Sequence, residues 1–188
     1  MRIIAGKHRG RRLHSLPGRD VRPTAARVRE ALFNILAHGG HRSEAGPLPR
    51  GTQVVDVFAG TGALGFEALS RGARHVVFID DTADALALIR RTAEELGETA
   101  AVTLVRRDAR NPGRPDAGPC ALALLDPPYR SDLAAPALAA LAANGWLDPG
   151  AWAVVELAAK EPFEPPSEFA PADERRYGAA RLVFLRFQ

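Results

Sequence analysis

Asp126, Pro127, Pro128 and Tyr129 stand together directly after the apolar run Ala121–Leu125. Two prolines stiffen a turn and carry no backbone N–H, so their carbonyls can point outward as acceptors. The Asp126 carboxylate is one more acceptor, and Tyr129 adds an aromatic face. This set suits an exocyclic amino group on a planar base. The acceptors take its two hydrogens, the base stacks on the tyrosine, and the nitrogen lone pair is left aimed at an electrophile. As that nitrogen attacks it becomes cationic, and nearby oxygens stabilise the charge. No strong general base is required, because the protonated product can give its proton to Asp126 or to water. In structured nucleic acid the base must first leave its stack.

A second constellation lies upstream, in Asp56-Val57-Phe58-Ala59-Gly60-Thr61-Gly62-Ala63-Leu64-Gly65. Gly60, Gly62 and Gly65 match G-x-G-x-x-G between a strand-like and a helix-like segment. Such glycines let the backbone approach a ligand closely. Asp80 ends the next apolar run, where a carboxylate can accept both hydroxyls of a ribose. The pattern points to a nucleoside cofactor. Asp56, at the tip of the first strand, would repel a pyrophosphate but could pair with a cationic amino group, directly or through water. Asp108, just after the third strand, reads equally as an acceptor for an adenine amino group or as a turn cap.

The elements that must hold these residues alternate from Gln53 onward. Strand-like runs are expected at 53–58, 75–79, 101–105, 121–125 and 151–157, and helices at 63–71, 83–96 and 133–144. Two extended segments around Gly178 form an expected terminal hairpin. Continuous apolar strands alternating with helices indicate a mostly parallel sheet covered on both faces. Ahead of the sheet, Thr24 reads as the N-cap of a helix over 25–37. Val28, Ala31, Leu32, Ile35 and Leu36 form its buried stripe, with Arg27, Arg29, Glu30 and Asn34 off it. Residues 39–51 read as a flexible connector.

Charge divides unevenly along the chain. Residues 1–29 hold nine cationic side chains against Asp20 alone, whereas the 188-residue chain as a whole is only +3. The remainder is therefore mildly acidic, and the basic head suits a polyanionic partner. Lys7, Arg9, Arg11, Arg12, Arg22 and Arg27 are the candidate RNA contacts. The single cysteine, Cys120, excludes an internal disulfide and a cysteine-based zinc cluster, and reads as a small apolar residue leading into a strand. No metal is expected. No membrane span and no secretory leader are evident, so a cytoplasmic protein is expected.

The Asp-x-Phe-x-Gly-x-Gly arrangement resembles the first motif of class I S-adenosylmethionine-dependent methyltransferases. Together with Glu67-Ala68-Leu69-Ser70-Arg71-Gly72 and Asp126-Pro127-Pro128-Tyr129, it resembles RsmD-type 16S rRNA guanine-N2 methyltransferases. The head strengthens this through Arg2-Ile3-Ile4-Ala5-Gly6, Arg9-Gly10-Arg11 and Arg22-Pro23-Thr24, followed by Arg27-Val28-Arg29-Glu30-Ala31-Leu32-Phe33-Asn34. The resemblance covers almost the full length. It implies an α/β fold: a Rossmann-like class I methyltransferase sheet of seven strands, mostly parallel, with a C-terminal antiparallel hairpin. It implies a small basic extension over 1–24, an RNA-binding hairpin, ahead of a methyltransferase domain over 25–188. The implied cofactor is S-adenosylmethionine, held by Thr24, Asp56, Phe58, Gly60, Gly62, Asp80, Asp108 and Asp126. The implied substrate is one guanine of 16S rRNA (position 966 in standard rRNA numbering), in a partly assembled small subunit, with the enzyme a monomer.

One departure is Asp80-Asp81-Thr82, where the family more often shows a glutamate; aspartate can still chelate a ribose. Three other readings stand beside this one. Asp-Pro-Pro-Tyr also serves adenine amino groups, although this short chain has room for no target-recognition region beyond its basic head. A nucleotide-dependent oxidoreductase would leave Asp56 and the Asp-Pro-Pro-Tyr turn without a role. A non-catalytic RNA-binding or assembly factor would have no reason to keep both motifs intact.

Overall fold

The computed structural model describes residues 1–15 and 23–188. In chain order the elements are α1 (Pro23–His38), two short strands β1 (Arg42–Ser43) and β2 (Gly46–Pro47), β3 (Gln53–Val57), α2 (Ala63–Ser70), β4 (His75–Asp80) and α3 (Ala83–Leu96). A 3₁₀ turn at Thr99–Ala101 leads into β5 (Val102–Arg106). Then come β6 (Cys120–Leu125), α4 (Ala134–Ala143), β7 (Leu147–Ala158), β8 (Phe169–Tyr177) and β9 (Ala180–Phe187). Seven strands make one sheet in the order β5-β4-β3-β6-β7-β9-β8. The first five are mutually parallel. β9 runs antiparallel to both β7 and β8, so the terminal hairpin closes one edge by inserting its second strand.

The side-chain period of two sorts the strands onto two cores. Val54, Val76, Phe78, Leu122, Leu124, Val154, Leu182 and Phe184 face one core, with α1, α2 and α3. Val55, Val57, Val77, Ile79, Ala123, Leu125, Ala153 and Val155 face the other, with α4. Burial on both faces is what a continuous apolar run requires, and β3 is buried at every position. Large side chains such as Phe66 and Phe78, both fully buried, each contribute about 2–3 kcal/mol of transfer free energy. Cys120 behaves as a core residue, and its burial pushes the thiol up to about 12.

The basic head is welded to the domain rather than hung from it. Arg2 and Arg12 form an antiparallel bridge, and Ile3 and Leu13 enter the core shared with α1 and α2. The Ile4 and Ala5 N–H groups donate to the Glu67 carboxylate at 2.8 and 3.0 Å. Lys7 N–H donates to the Ser70 carbonyl at 2.8 Å.

Three expectations are corrected here. Helix α1 begins at Pro23, so Thr24 lies inside its first turn and is not the cap. Proline suits that first position because the missing N–H would have no partner anyway. Arg29, placed off the buried stripe, is only 4% exposed, because the head folds over it and takes its guanidinium: Nη2 donates to the Arg2 carbonyl at 2.7 Å. Residues 39–51 are structured by the β1–β2 pair and the burial of Leu48.

Candidate active site

The strand order reverses between β3 and β6, and an open parallel sheet leaves a crevice at the carboxyl ends of such neighbours. Both sequence constellations meet there. Val57 pairs with Leu125, so the glycine turn leaves β3 beside the point where Asp126-Pro127-Pro128-Tyr129 leaves β6.

The turn is held by carboxylates beneath it. Gly60 N–H donates to Asp80 Oδ2 at 2.8 Å, and Gly65 N–H donates to Asp56 Oδ2 at 2.8 Å. Asp80 also accepts Thr82 N–H at 2.9 Å, so one side chain fixes the turn to the start of α3. Phe58 sits at φ 60, a left-handed conformation that is costly for a bulky residue and typical of a constrained site. A Cβ at Gly60 would meet nothing nearer than the Phe58 carbonyl oxygen at 3.8 Å, although φ 54 there still favours glycine. Gly65 has the opposite constraint, since a Cβ there would lie 2.2 Å from the Phe78 ring. The three glycines therefore do different work: Gly60 leaves room at the turn, Gly62 lies against Phe66 and Ile89 where a Cβ would crowd them, and Gly65 lets α2 lie on the sheet.

Asp56, read from the sequence as a possible partner for a cationic amino group, supports the turn in the structure. It is 1% exposed, and its carboxylate is engaged by the turn. Loss of hydration, with the charges of Asp126 and Asp80 nearby, holds its carboxyl well above the ordinary carboxylate range despite the Gly65 hydrogen bond. Asp108 is exposed and bound by its near neighbour Arg110, through the guanidinium at 2.6 Å and the backbone N–H at 2.8 Å. These contacts hold its carboxyl down at about 2. An adenine amino group reaching Asp108 would share that carboxylate with Arg110.

On the other side of the switch point, Pro127 is buried, whereas Asp126, Pro128 and Tyr129 are exposed along the crevice. Solvent reaches Asp126 from one side while protein surrounds the rest. Loss of hydration and the charge of Glu156 push its carboxyl above the usual range. Tyr129 leaves its ring 41% exposed and donates its hydroxyl to Glu156 Oε1 at 3.2 Å.

Glu156 was missed in the sequence. Its signal was a lone acid inside the apolar run Ala151–Leu157. In the β6–β7 register Leu125 pairs with Val155, so Asp126 and Glu156 are the next two residues side by side. Loss of hydration raises the Glu156 carboxyl, while the Tyr129 hydroxyl and the charge of Arg29 pull it back.

The candidate RNA contacts fare unevenly. Arg9, Arg12 and Arg27 are exposed. Lys7 pairs with Glu98 at 2.6 Å, and Arg11 donates to the Glu95 carbonyl at 2.6 Å. Arg22 lies outside the described residues, as does the Thr24 side chain. Among the described residues no cluster of His, Cys, Asp and Glu is placed to hold a metal ion, and no helix is long and apolar enough to cross a membrane.

Comparison with known proteins agrees with this geometry. A family model described as conserved hypothetical protein 95 matches residues 1–186. The ribosomal RNA small subunit methyltransferase D of Haemophilus influenzae is 34% identical over 95% of this chain and 89% of its own length. The Escherichia coli protein of the same name is 38% identical over 83% of this chain and 74% of its own. The solved structure of the Escherichia coli methyltransferase yhhF superposes with a TM-score of 0.83 at 30% identity, covering 100% of this chain and 98% of that one. The chain belongs to the RsmD-type family of class I methyltransferases, to which the small-subunit rRNA methyltransferases D belong.

Proposed function

We propose that this protein transfers a methyl group from S-adenosylmethionine to the exocyclic N2 of a guanine in 16S rRNA, at position 966 in standard rRNA numbering. The substrate is a partly assembled small subunit, and the enzyme acts as a monomer in the cytoplasm. The observation that carries this reading is the convergence of the glycine turn and Asp126-Pro127-Pro128-Tyr129 on one crevice at the β3–β6 switch point. The names of the relatives supply the rRNA substrate.

The crevice fits the cofactor. At Gly60 a Cβ would meet only the Phe58 carbonyl oxygen, at 3.8 Å, which leaves room for a ligand against the backbone, and Asp80 ends β4 beside it with its carboxylate already oriented by Gly60 and Thr82. Asp80 would hold the ribose, Asp108 the adenine amino group, and Phe58, Gly60 and Gly62 the turn that receives the molecule. Asp56 supports that turn from beneath. When bound, S-adenosylmethionine supplies an electrophilic methyl group on a sulfonium.

The rest is work for the chain's own residues. Tyr129, anchored by its hydroxyl, presents its ring for the flipped base to stack on. Asp126 and the carbonyls around Pro127 and Pro128 accept the two amino hydrogens and so orient the nitrogen lone pair. As the nitrogen gains the methyl group it turns cationic, and Asp126 stabilises that charge and accepts the proton that leaves. Arg9, Arg12 and Arg27 on the outer surface, with Lys7, Arg11 and Arg22, hold the RNA backbone and set orientation rather than base identity.

The test is transfer of radiolabelled methyl to small-subunit particles from a strain lacking its own enzyme, followed by nucleoside analysis. Label in N2-methylguanosine is expected. Label in methyladenosine would retain the methyltransferase and overturn the guanine.

A further inference from the structure

Glu156 accepts the Tyr129 hydroxyl, and its position is unusual. It is an acid on an otherwise apolar strand, and the β6–β7 register sets it beside Asp126 at the mouth of the crevice. Sheet alternation puts both on one face, since Leu124 and Val154, two residues before each, share the same core. Two neighbouring carboxylates repel, and the charge of Glu156 raises the Asp126 carboxyl. The cation nearest in effect to Glu156 is Arg29 of α1. Arg29 is itself engaged by the head, through the Arg2 carbonyl and the Met1 sulfur, with Glu67 3.6 Å from its Nε. A pair of acids of this kind is costly in the empty protein, and donors from a ligand would offset the cost.

The chemistry of the base says which donors. An ionised carboxylate only accepts hydrogen bonds. Guanine presents an N1–H beside its N2 amino group, a row of donors along one edge. Adenine presents its amino group beside an unprotonated N1, which is an acceptor. Asp126 serves the amino group on either base, so it cannot distinguish them, whereas a second carboxylate alongside it can.

We infer that Glu156 reads the target base by accepting the guanine N1–H while Asp126 accepts the neighbouring amino hydrogens. The inference rests on the guanine-N2 reading of the site and makes Glu156 its specificity residue. Tyr129 then has two roles through one contact: its ring stacks on the base, and its hydroxyl fixes one Glu156 oxygen so that the carboxylate meets the base edge in a set orientation.

The experiment compares two reconstituted small-subunit particles, one with guanine at the target position and one with 2-aminopurine. The analogue keeps the 2-amino group but has an acceptor at N1. The wild-type enzyme is expected to favour guanine by about 100-fold or more in kcat/KM, the penalty for opposing a built acceptor with another. In Glu156→Gln the side-chain amide can donate to that acceptor, so the preference should collapse to within a few-fold. Glu156→Ala should lose activity on guanine and gain nothing on 2-aminopurine. S-adenosylmethionine titration of each variant checks that the cofactor site survives. If Glu156→Gln slows both bases equally, Glu156 only positions Tyr129 and the inference fails. If the wild-type enzyme methylates 2-aminopurine as fast as guanine, N1–H is not read and the inference fails. If the wild-type enzyme leaves guanine unmethylated, the functional reading falls and the inference with it.

Discussion

The two sides of the switch point use their carboxylates in opposite ways. On the β3–β4 side, Asp56, Asp80 and Glu67 each accept main-chain N–H groups, from Gly65, from Gly60 and Thr82, and from Ile4 and Ala5. On the β6–β7 side, Asp126 and Glu156 stand beside each other with like charge, and Glu156 accepts the Tyr129 hydroxyl. A hydrogen bond from the backbone spends an acceptor on structure and makes the local geometry rigid. Acceptor capacity left at a crevice is available to a ligand and keeps the protein strained until one arrives. The cofactor side is thus built as a mould, and the amino-group side as a pair of neighbouring carboxylates facing the crevice. One holds shape, the other holds chemistry.

Removing a carboxylate from each side should separate the two uses. The largest effect on stability is expected at Glu67, which is fully buried and ties α2 to Ile4, Ala5 and Arg71, with Arg29 close by. Glu67→Ala strands Arg29 and two main-chain donors, and should cost about 3–5 kcal/mol in denaturant unfolding. A loss below about 1 kcal/mol would mean that the head contributes nothing to the fold. Asp126→Asn should do the reverse. Its kcat is expected to fall about 10²–10³-fold with the unfolding midpoint and S-adenosylmethionine affinity nearly unchanged, because the missing contact strengthens only as the amino nitrogen becomes charged. Equal losses in kcat and in cofactor affinity would place Asp126 on the mould side instead.

This contrast also explains what the sequence could and could not show. The alternation of apolar runs with helical segments was readable because the parallel sheet is buried on both faces, whereas the seven-strand count came from the family resemblance and the strand order from the structure. The glycine turn and Asp126-Pro127-Pro128-Tyr129 were readable because each is contiguous. Glu156 was not, since its meaning depends on which strand lies beside β6, and only the sheet order supplies that. The partner that Asp56 takes, the Gly65 N–H, was not legible, because sequence gives a strand end and not the identity of the N–H beside it. Arg29 was misplaced for a related reason: a helical period marks one buried stripe, and the head covers a second face with residues more than twenty positions away.

Asp56 offers the finest test of the mould, because its isostere can keep the hydrogen bond while losing the charge. Its native carboxyl is raised, so the folded protein holds that proton at pH values where the unfolded chain, with an aspartate near about 4, has lost it. The folded state then binds more protons than the unfolded one, and stability falls as pH rises from about 4 toward the native value, by about 1.4 kcal/mol for each unit of elevation. Asparagine has no proton to lose and can still accept Gly65 N–H through its carbonyl oxygen. Unfolding of ligand-free Asp56→Asn should therefore be less pH-dependent than that of the wild type, with the variant gaining relative stability as pH rises. Asp126 and Glu156 are also raised and are present in both proteins, so the difference between the two curves reports Asp56 together with its coupling to Asp126 and Asp80. Parallel curves would mean that Asp56 is ionised beneath the turn, and that the mould carries a charge a cationic cofactor amino group could use.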